Sequence, residues 1–272
     1  MLLYRMFVKQ KASNRALFAF IAFAIFNPPL SANICSVNQF HETAEVAHVY
    51  DGDTVKLVDG RKIRLIGINT PERGRNSQQD EPFYLAAKSQ LQEIIRKNNY
   101  QIKIAYGKDK HDRYKRLLAH IFTSDDKNIT ATLIKNGMGF TIAVPPNIRL
   151  LNCYQDAEAD AKKNKRGIWH HKFSRAINVT SLNKSARGFH LVKGTVERIG
   201  ESRSSFWLNL NSKSGAKFAL RILKKNMSYF NQLHPKDLLN RQLTARGWIY
   251  EVKGEQRMTI HHPASLQIQN AD

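Results

Sequence analysis

The chain has 272 residues, enough for two domains of ordinary size, and carries 43 Lys and Arg against 22 Asp and Glu, a formal charge of +21. So large a positive excess excludes cationic targets and points to polyanions, either nucleic acid or an anionic membrane surface. The apolar run at residues 16–26 has eleven residues, too few to span a bilayer as a helix.

That run follows Arg5, Lys9, Lys11 and Arg15 and precedes Pro28-Pro29-Leu30-Ser31-Ala32. This is the layout of a secretory signal, residues 1–32, cut after Ala32, with an uncleaved membrane anchor as the alternative. Cys35 lacks the preceding small-residue pattern of a lipoprotein site. Removing the signal takes away four basic residues and no acidic one, leaving +17. The expected location is outside the cytoplasm, periplasmic or secreted, with no stable membrane association after cleavage. Cys35 and Cys153 are the two cysteines. In an oxidising compartment an even pair favours a disulfide, with two free thiols as the alternative.

Residues 50–72, YDGDTVKLVDGRKIRLIGINTPE, hold the densest chemistry. Asp51-Gly52 and Asp59-Gly60 are hairpin-type turn dipeptides, and the β-branched runs between them read as strands, so the chain folds back twice. The folding brings Asp53, at the start of the middle strand, toward Asn69, Thr70 and Glu72 beyond the third. Hard oxygen donors converging beside Arg64 suit a divalent cation and a phosphate held together. Residues 73–82 read as a polar loop, either a lid or a solvated connection. An amphipathic helix is expected over 83–96, strands over 100–106 and 116–122, and between them the basic loop KDKHDRYKR at 108–116. Thr130 is the expected cap of a helix ending at Gly137, and Asn147 the cap of one running to about Lys165.

Asp51-Gly52-Asp53-Thr54, then RLIGINTPE at 64–72, DRYKRLLA at 112–119, LIKNG at 133–137, AEADAKK at 157–163 and GIW at 167–169 occur in the order that resembles the staphylococcal (thermo)nuclease family. The resemblance covers residues 45–171 or so, about half of the chain. It implies a five-stranded OB-type barrel with flanking helices and phosphodiesterase activity on DNA and/or RNA, with no protein partner predicted. Its implied roles are Arg64 and Arg116 on the phosphate, Glu72 as the base, Arg113 and Tyr114 on the nucleotide, and Ca²⁺ or another divalent cation on Asp53, Asn69 and Thr70. Two arginines suit a transition state that gathers charge on oxygens that guanidinium forks can grip from two sides. The chain departs from the family pattern at Asn69, where aspartate is usual, and at Ile142 and Val144, where the best-known members carry tyrosines. An amide oxygen still binds a hard cation but brings no charge.

Residues 172–188 are polar and aperiodic, as a linker would be. Beyond them, strand-like runs start at Phe189, Phe206, Lys217, Leu243 and Met258, with a helical segment at about 225–232. Three strands, a helix and two strands imply a second, OB-like barrel over 189–272, after a nuclease-like domain over 33–171. The fold class is therefore α+β, mainly β. Lys193, Arg198, Arg203, Arg221 and Arg246, with Phe206, Trp207 and Trp248, make a nucleic-acid accessory surface one reading of the second barrel, although strand alternation puts at least half of those rings inside. Two functions stand: an exported metal-dependent nuclease, or a catalytically impaired nucleic-acid-binding protein on the same fold, for which Asn69 and the missing tyrosines speak.

Overall fold

The computed structural model describes residues 35–74, 79–215 and 217–269. The expected signal segment and positions 75–78 of the polar loop lie outside the described residues. No helix among those described is long and apolar enough to cross a membrane.

The first half runs β1 (Glu42–Val49), β2 (Thr54–Leu57), β3 (Lys62–Leu65), β4 (Ile68–Asn69), α1 (Tyr84–Lys97), β5 (Gln101–His111), β6 (Leu117–Phe122), α2 (Ile129–Lys135), β7 (Phe140–Thr141) and α3 (Leu151–Lys163). β1, β2, β3, β6 and β5 close into a barrel in that order, with β3 and β6 parallel and the remaining pairs antiparallel. Strand alternation sends Val55, Leu57, Ile63 and Leu65 inward, to meet Ile102, Ile104 and Ile121 and the buried face of α1, Leu91 and Ile95. Truncating any of these to Ala would cost about 2–5 kcal/mol. Gly67 has φ of 89°, and a Cβ there would sit 2.3 Å from the Tyr154 ring, so only glycine lets the chain turn from β3 into β4. Cys35 and Cys153 form a disulfide that ties the segment before β1 to α3.

The second half runs β8 (Ile177–Asn178), β9 (Gly188–Glu201), β10 (Ser205–Leu210), β11 (Phe218–Leu223), β12 (Gln242–Val252), β13 (Glu255–Ile260) and β14 (Leu266–Ile268). β9, β10, β11, β13 and β12 follow one another, and β12 pairs back onto β9, which closes a second barrel around Val192, Val196, Leu208, Leu220, Ile222, Met258 and Ile260. The α+β, mainly β, two-barrel architecture expected from the sequence is the one present. A third apolar cluster, Phe140, Ile168 and Phe189 with Trp169 and Phe173, joins residues of both halves.

Local readings differ in four places. α2 is capped by Asn128, whose side-chain oxygen accepts from Ala131 N at 2.9 Å, two residues before Thr130; amide and hydroxyl caps compete, and the register favours the amide. α3 begins at Leu151 rather than at Asn147, because the Asn147 amide is engaged with Asp109, accepting from its N–H at 3.0 Å and donating to its carbonyl at 2.9 Å. The 225–232 helix is instead a 3₁₀ turn over Lys224–Tyr229 and a second over Pro235–Leu238. The 172–188 stretch holds 3₁₀ turns at Lys172–Ser174 and Val179–Ser181, and its β8 pairs with β9 while Val179 enters the second core.

Candidate active site

The β2–β3 register sets Thr54 opposite Arg64, so Asp53, one residue before β2, lies at the end of β3, and its carbonyl accepts from Leu65 N at 2.8 Å. The chain passes tightly here. A Cβ on Gly52 would meet Ala87 Cβ at 2.7 Å and Thr70 Cγ2 at 2.8 Å, so the glycine lets α1 and the Thr70 segment close over the turn.

Asp53, Arg64, Asn69 and Thr70 are all buried and joined in one network. Asp53 Oδ2 accepts from Thr70 N at 3.0 Å and Thr70 Oγ1 at 3.1 Å, and pairs with Arg64 Nη2 at 3.0 Å. Its other oxygen accepts from the Thr54 hydroxyl at 3.0 Å. Arg64 Nη1 donates to the carbonyls of Leu65 at 2.7 Å and Ile68 at 2.8 Å, and Nη2 reaches Asn69 Oδ1 at 3.4 Å. Carbonyls on one nitrogen and acceptors on the other fix the plane of the guanidinium. Asn69 is held in turn by β4, where it pairs with Phe140 of β7.

Arg116 stands at the base of β6. Asp112 orients it, accepting from Arg116 Nε at 2.7 Å and from its backbone N–H at 2.9 Å. Burial alone raises the Asp112 carboxyl, but these bonds and the Arg116 charge outweigh burial and hold it below the usual range. Arg116 Nη1 points back to Thr54 Oγ1 at 3.5 Å, so Thr54 lies between Arg116 and Asp53. Arg113 and Tyr114 are exposed at the tip beyond β5, with the Arg113 guanidinium 4.7 Å and that of Arg116 5.5 Å from the Tyr114 ring centroid. The basic stretch is less of a loop than expected, since β5 extends to His111 and leaves only residues 112–116 as the turn.

Asp51 accepts from Asp53 N at 3.0 Å, and its carboxyl is pushed up to about 7, by burial first and then by the charges of Asp53 and, more weakly, Glu72. Glu72 is exposed, one residue past buried Pro71. Its backbone exchanges bonds with Glu81, the Glu72 N–H donating to Glu81 Oε2 at 2.8 Å and its carbonyl accepting from Glu81 N at 3.0 Å. Burial raises the Glu81 carboxyl, and the N–H of Glu72 offsets part of that rise.

Asp53, Arg64, Asn69 and Thr70 are therefore drawn together; Arg116 joins them through Thr54, Glu72 borders them, and Arg113 and Tyr114 stand apart at the tip. Asp51 is one of the three carboxylates, with Asp53 and Glu72, that the sequence brings together; Thr54 and Asp112 have no role in the sequence reading, although both sit inside the motifs and a hydroxyl beside Asp53 is a readable signal. Ile142 packs into the third apolar cluster and Val144 is exposed, so neither ring-bearing position of the family pattern is replaced by a polar group. Among the described residues, no three His, Cys, Asp or Glu side chains are grouped as a metal cluster.

Residues 62–171 match the model of a family described as staphylococcal nuclease homologue. Over 123 residues the chain is 31% identical to the endonuclease YncB of Bacillus subtilis, covering 44% of this chain and 57% of that one. It is 29% identical over 131 residues to the thermonuclease of Staphylococcus intermedius, covering 47% of this chain and 76% of the relative. Against the thermonuclease of Staphylococcus hyicus the identity is 28% over 145 residues, 52% of this chain and 83% of the relative. The chain thus spans little more than half the length of the Bacillus relative.

Proposed function

Because the chain carries a staphylococcal-nuclease-homologue domain at residues 62–171, we propose that it is a nuclease hydrolysing phosphodiester bonds of DNA and/or RNA. The observation that carries this reading is the buried Asp53–Arg64–Thr70 network with Arg116 tied to it through Thr54. Such an arrangement links the Arg64 and Arg116 guanidinium groups through Asp53 and Thr54, and a pair of guanidinium groups suits a phosphate under attack.

In the mechanism, water attacks phosphorus in line with the leaving oxygen. Arg64 and Arg116 receive the charge that develops on the phosphoryl oxygens, and Glu72 accepts the proton that the water gives up. Arg64 Nη1 donates to two carbonyls and Nη2 is shared between Asp53 and Asn69, so this guanidinium acts from a fixed position. Arg116 keeps its Nη1 edge for phosphate while Asp112 holds Nε.

The donor chemistry fits a hard divalent cation. Asp53, the Asn69 amide oxygen and the Thr70 carbonyl would hold it, with Asp51 beside them, its carboxyl accepting from the Asp53 N–H. When bound, a Ca²⁺-like ion supplies polarisation of the phosphate. Export is part of the proposal: the disulfide belongs to an oxidising compartment, and residues 1–32 supply the signal.

Cleavage of single-stranded DNA and of RNA by the purified protein, with Ca²⁺, with Mg²⁺ and with chelator, tests this. Metal-dependent cleavage that disappears in Arg64→Ala and in Glu72→Gln is expected. Salt-sensitive binding without cleavage would sink the nuclease reading and favour the binding-only protein that the uncharged Asn69 suggests.

A further inference from the structure

The second barrel has its own chemistry on its outer face. Of the rings and cations noted there in the sequence, Phe206 lies in the core and Arg246 is turned to the first half, where it pairs with Glu158 at 2.6 Å. Trp248 packs edge-on against Phe189 at 5.1 Å. Trp207 remains, pointing outward from β10, with Arg221 of β11 5.3 Å and Arg257 of β13 4.7 Å from its ring centroid.

The strand registers explain the group. Trp207 is paired with Arg221 on one side and with Gly200 of β9 on the other. Glycine gives that side no side chain, and a Cβ at Gly200 would meet only Trp207 Cβ, at 3.6 Å. The half-buried indole therefore has guanidinium on one flank and the side-chain-free Gly200 on the other, and its N–H donates to Ser202 Oγ at 3.4 Å. Arg198 and Asn209, paired across β9 and β10, continue the face, their side chains meeting at 3.3 Å. Among the described residues Arg198 and Arg221 make no ion pair; Arg221 Nε donates to Ser205 Oγ at 2.9 Å, and Glu255 engages Arg257 at 2.9 Å. Arg257 Nε is buried with no hydrogen-bond partner among the described residues.

We propose that the outer face of β10, β11 and β13 is a platform for single-stranded nucleic acid, with a base stacked on Trp207 and the backbone phosphates on Arg198, Arg221 and Arg257. Arg198 and Arg221, which have no ion pair among the described residues, favour a polyanion. The half-buried indole on this outer face suits a strand whose bases are free to stack, because in a duplex each base is already stacked and paired. This surface does not depend on cleavage at Asp53, so the two readings can fail separately.

The test is fluorescence anisotropy of a labelled fifteen-residue oligothymidylate with the full chain in chelator, where metal-dependent cleavage is off. Trp207→Ala should weaken binding about tenfold, and Trp207→Phe, which keeps a ring, should recover most of it. Arg221→Ala with Arg257→Ala should lower the slope of log K against log salt by about 1.4, two phosphates' worth for a single strand. Wild-type affinity in both the Trp207→Ala and the double arginine variant would overturn the proposal. So would no binding at all, or equal affinity for a duplex with an equal loss in Trp207→Ala. Binding that depends on Trp207 in a protein that never cleaves would leave this platform standing and remove the nuclease reading.

Discussion

The two barrels share one strand order, with the third strand parallel to the fifth and the first closing on the fourth, yet they bury different groups. In the first barrel the opening residue of the second strand, Thr54, faces Arg64, and Asp53 precedes it. In the other, Ser205 faces Leu223, and Ser204 precedes it. The first keeps a buried aspartate and arginine at that corner; the buried polar residues of the second barrel, Ser205, Asn226 and Gln256, carry no charge. One scaffold thus supports a buried aspartate–arginine pair in one copy and a cationic outer face in the other. Chemistry belongs to the residues at a strand end, not to the barrel.

The sharpest way to separate the barrels is the disulfide, which only the first contains. It closes a loop of 118 residues, worth about 4–5 kcal/mol in the chain-entropy description. Cys153→Ala, followed by urea unfolding, should lower the stability of the first barrel by up to that amount. The tryptophan signal of Trp207 in the second barrel should move far less, and an equal loss in both would mean that the barrels unfold as one body.

Catalysis should break the symmetry nearly as strongly. Arg116→Ala should reduce turnover of a single-stranded substrate by about 10²–10³-fold, some 3–4 kcal/mol of transition-state stabilisation, while the fold persists because Arg116 is half-exposed. Arg64→Ala is the less clean variant, since it also leaves Asp53 buried without its ion pair. Unchanged turnover in Arg116→Ala would place the chemistry elsewhere.

A third prediction concerns what joins the halves. Glu158 of α3 is buried and receives Arg246 of β12 at 2.6 Å, Lys162 at 2.9 Å and the Thr141 N–H at 2.8 Å. Arg246→Ala should cost about 3 kcal/mol, the lower end for a broken buried pair because Lys162 stays. Calorimetry should then show the transitions of the two barrels further apart in the variant than in the wild type; an unchanged thermogram would show that the junction does not couple the barrels.

Much of the first barrel was legible because its information is local. Turn dipeptides fix the hairpins, and the same few residues that fold back also carry the acid, amide and arginine. What escaped depends on register. Phe206 and Trp207 are neighbours, so alternation guarantees that one faces the core, but only the pairing with Arg221 and Gly200 says which. Arg246 reads as a surface cation until Glu158, 88 residues away in sequence, is brought against it. Asn147 offers a good helix cap, and the contact with Asp109 overrides it. Nothing in the spacing marks Arg257, because the Trp207 ring it meets lies two strands over.

The smallest of these effects is a matter of pH, and it sharpens the comparison because its residue lies in the first barrel alone. His120 on β6 is buried, its Nδ1 2.7 Å from the Tyr154 hydroxyl, and burial followed by the charge of Arg149 pushes its pKa down to about 4. The folded state thus holds the imidazole neutral, whereas the unfolded chain takes up a proton near the ordinary value of about 6.5. The sign follows: with the folded pKa depressed, the full stability is present above about 6.5 and is lost as pH falls toward 4, because the unfolded state binds the extra proton. Integrating the proton uptake gives a loss of about 2 kcal/mol by pH 5. Urea unfolding at a series of pH values should therefore show a decline between 6.5 and 5 that is shallower in His120→Gln by up to one proton's slope, about 1.4 kcal/mol per pH unit. Equal slopes would mean that the ring is protonated in place, and that the bond to Tyr154 rather than burial governs it. Carboxyls that titrate in the same range, Asp51 among them, are common to both proteins, so the difference between the two curves belongs to His120.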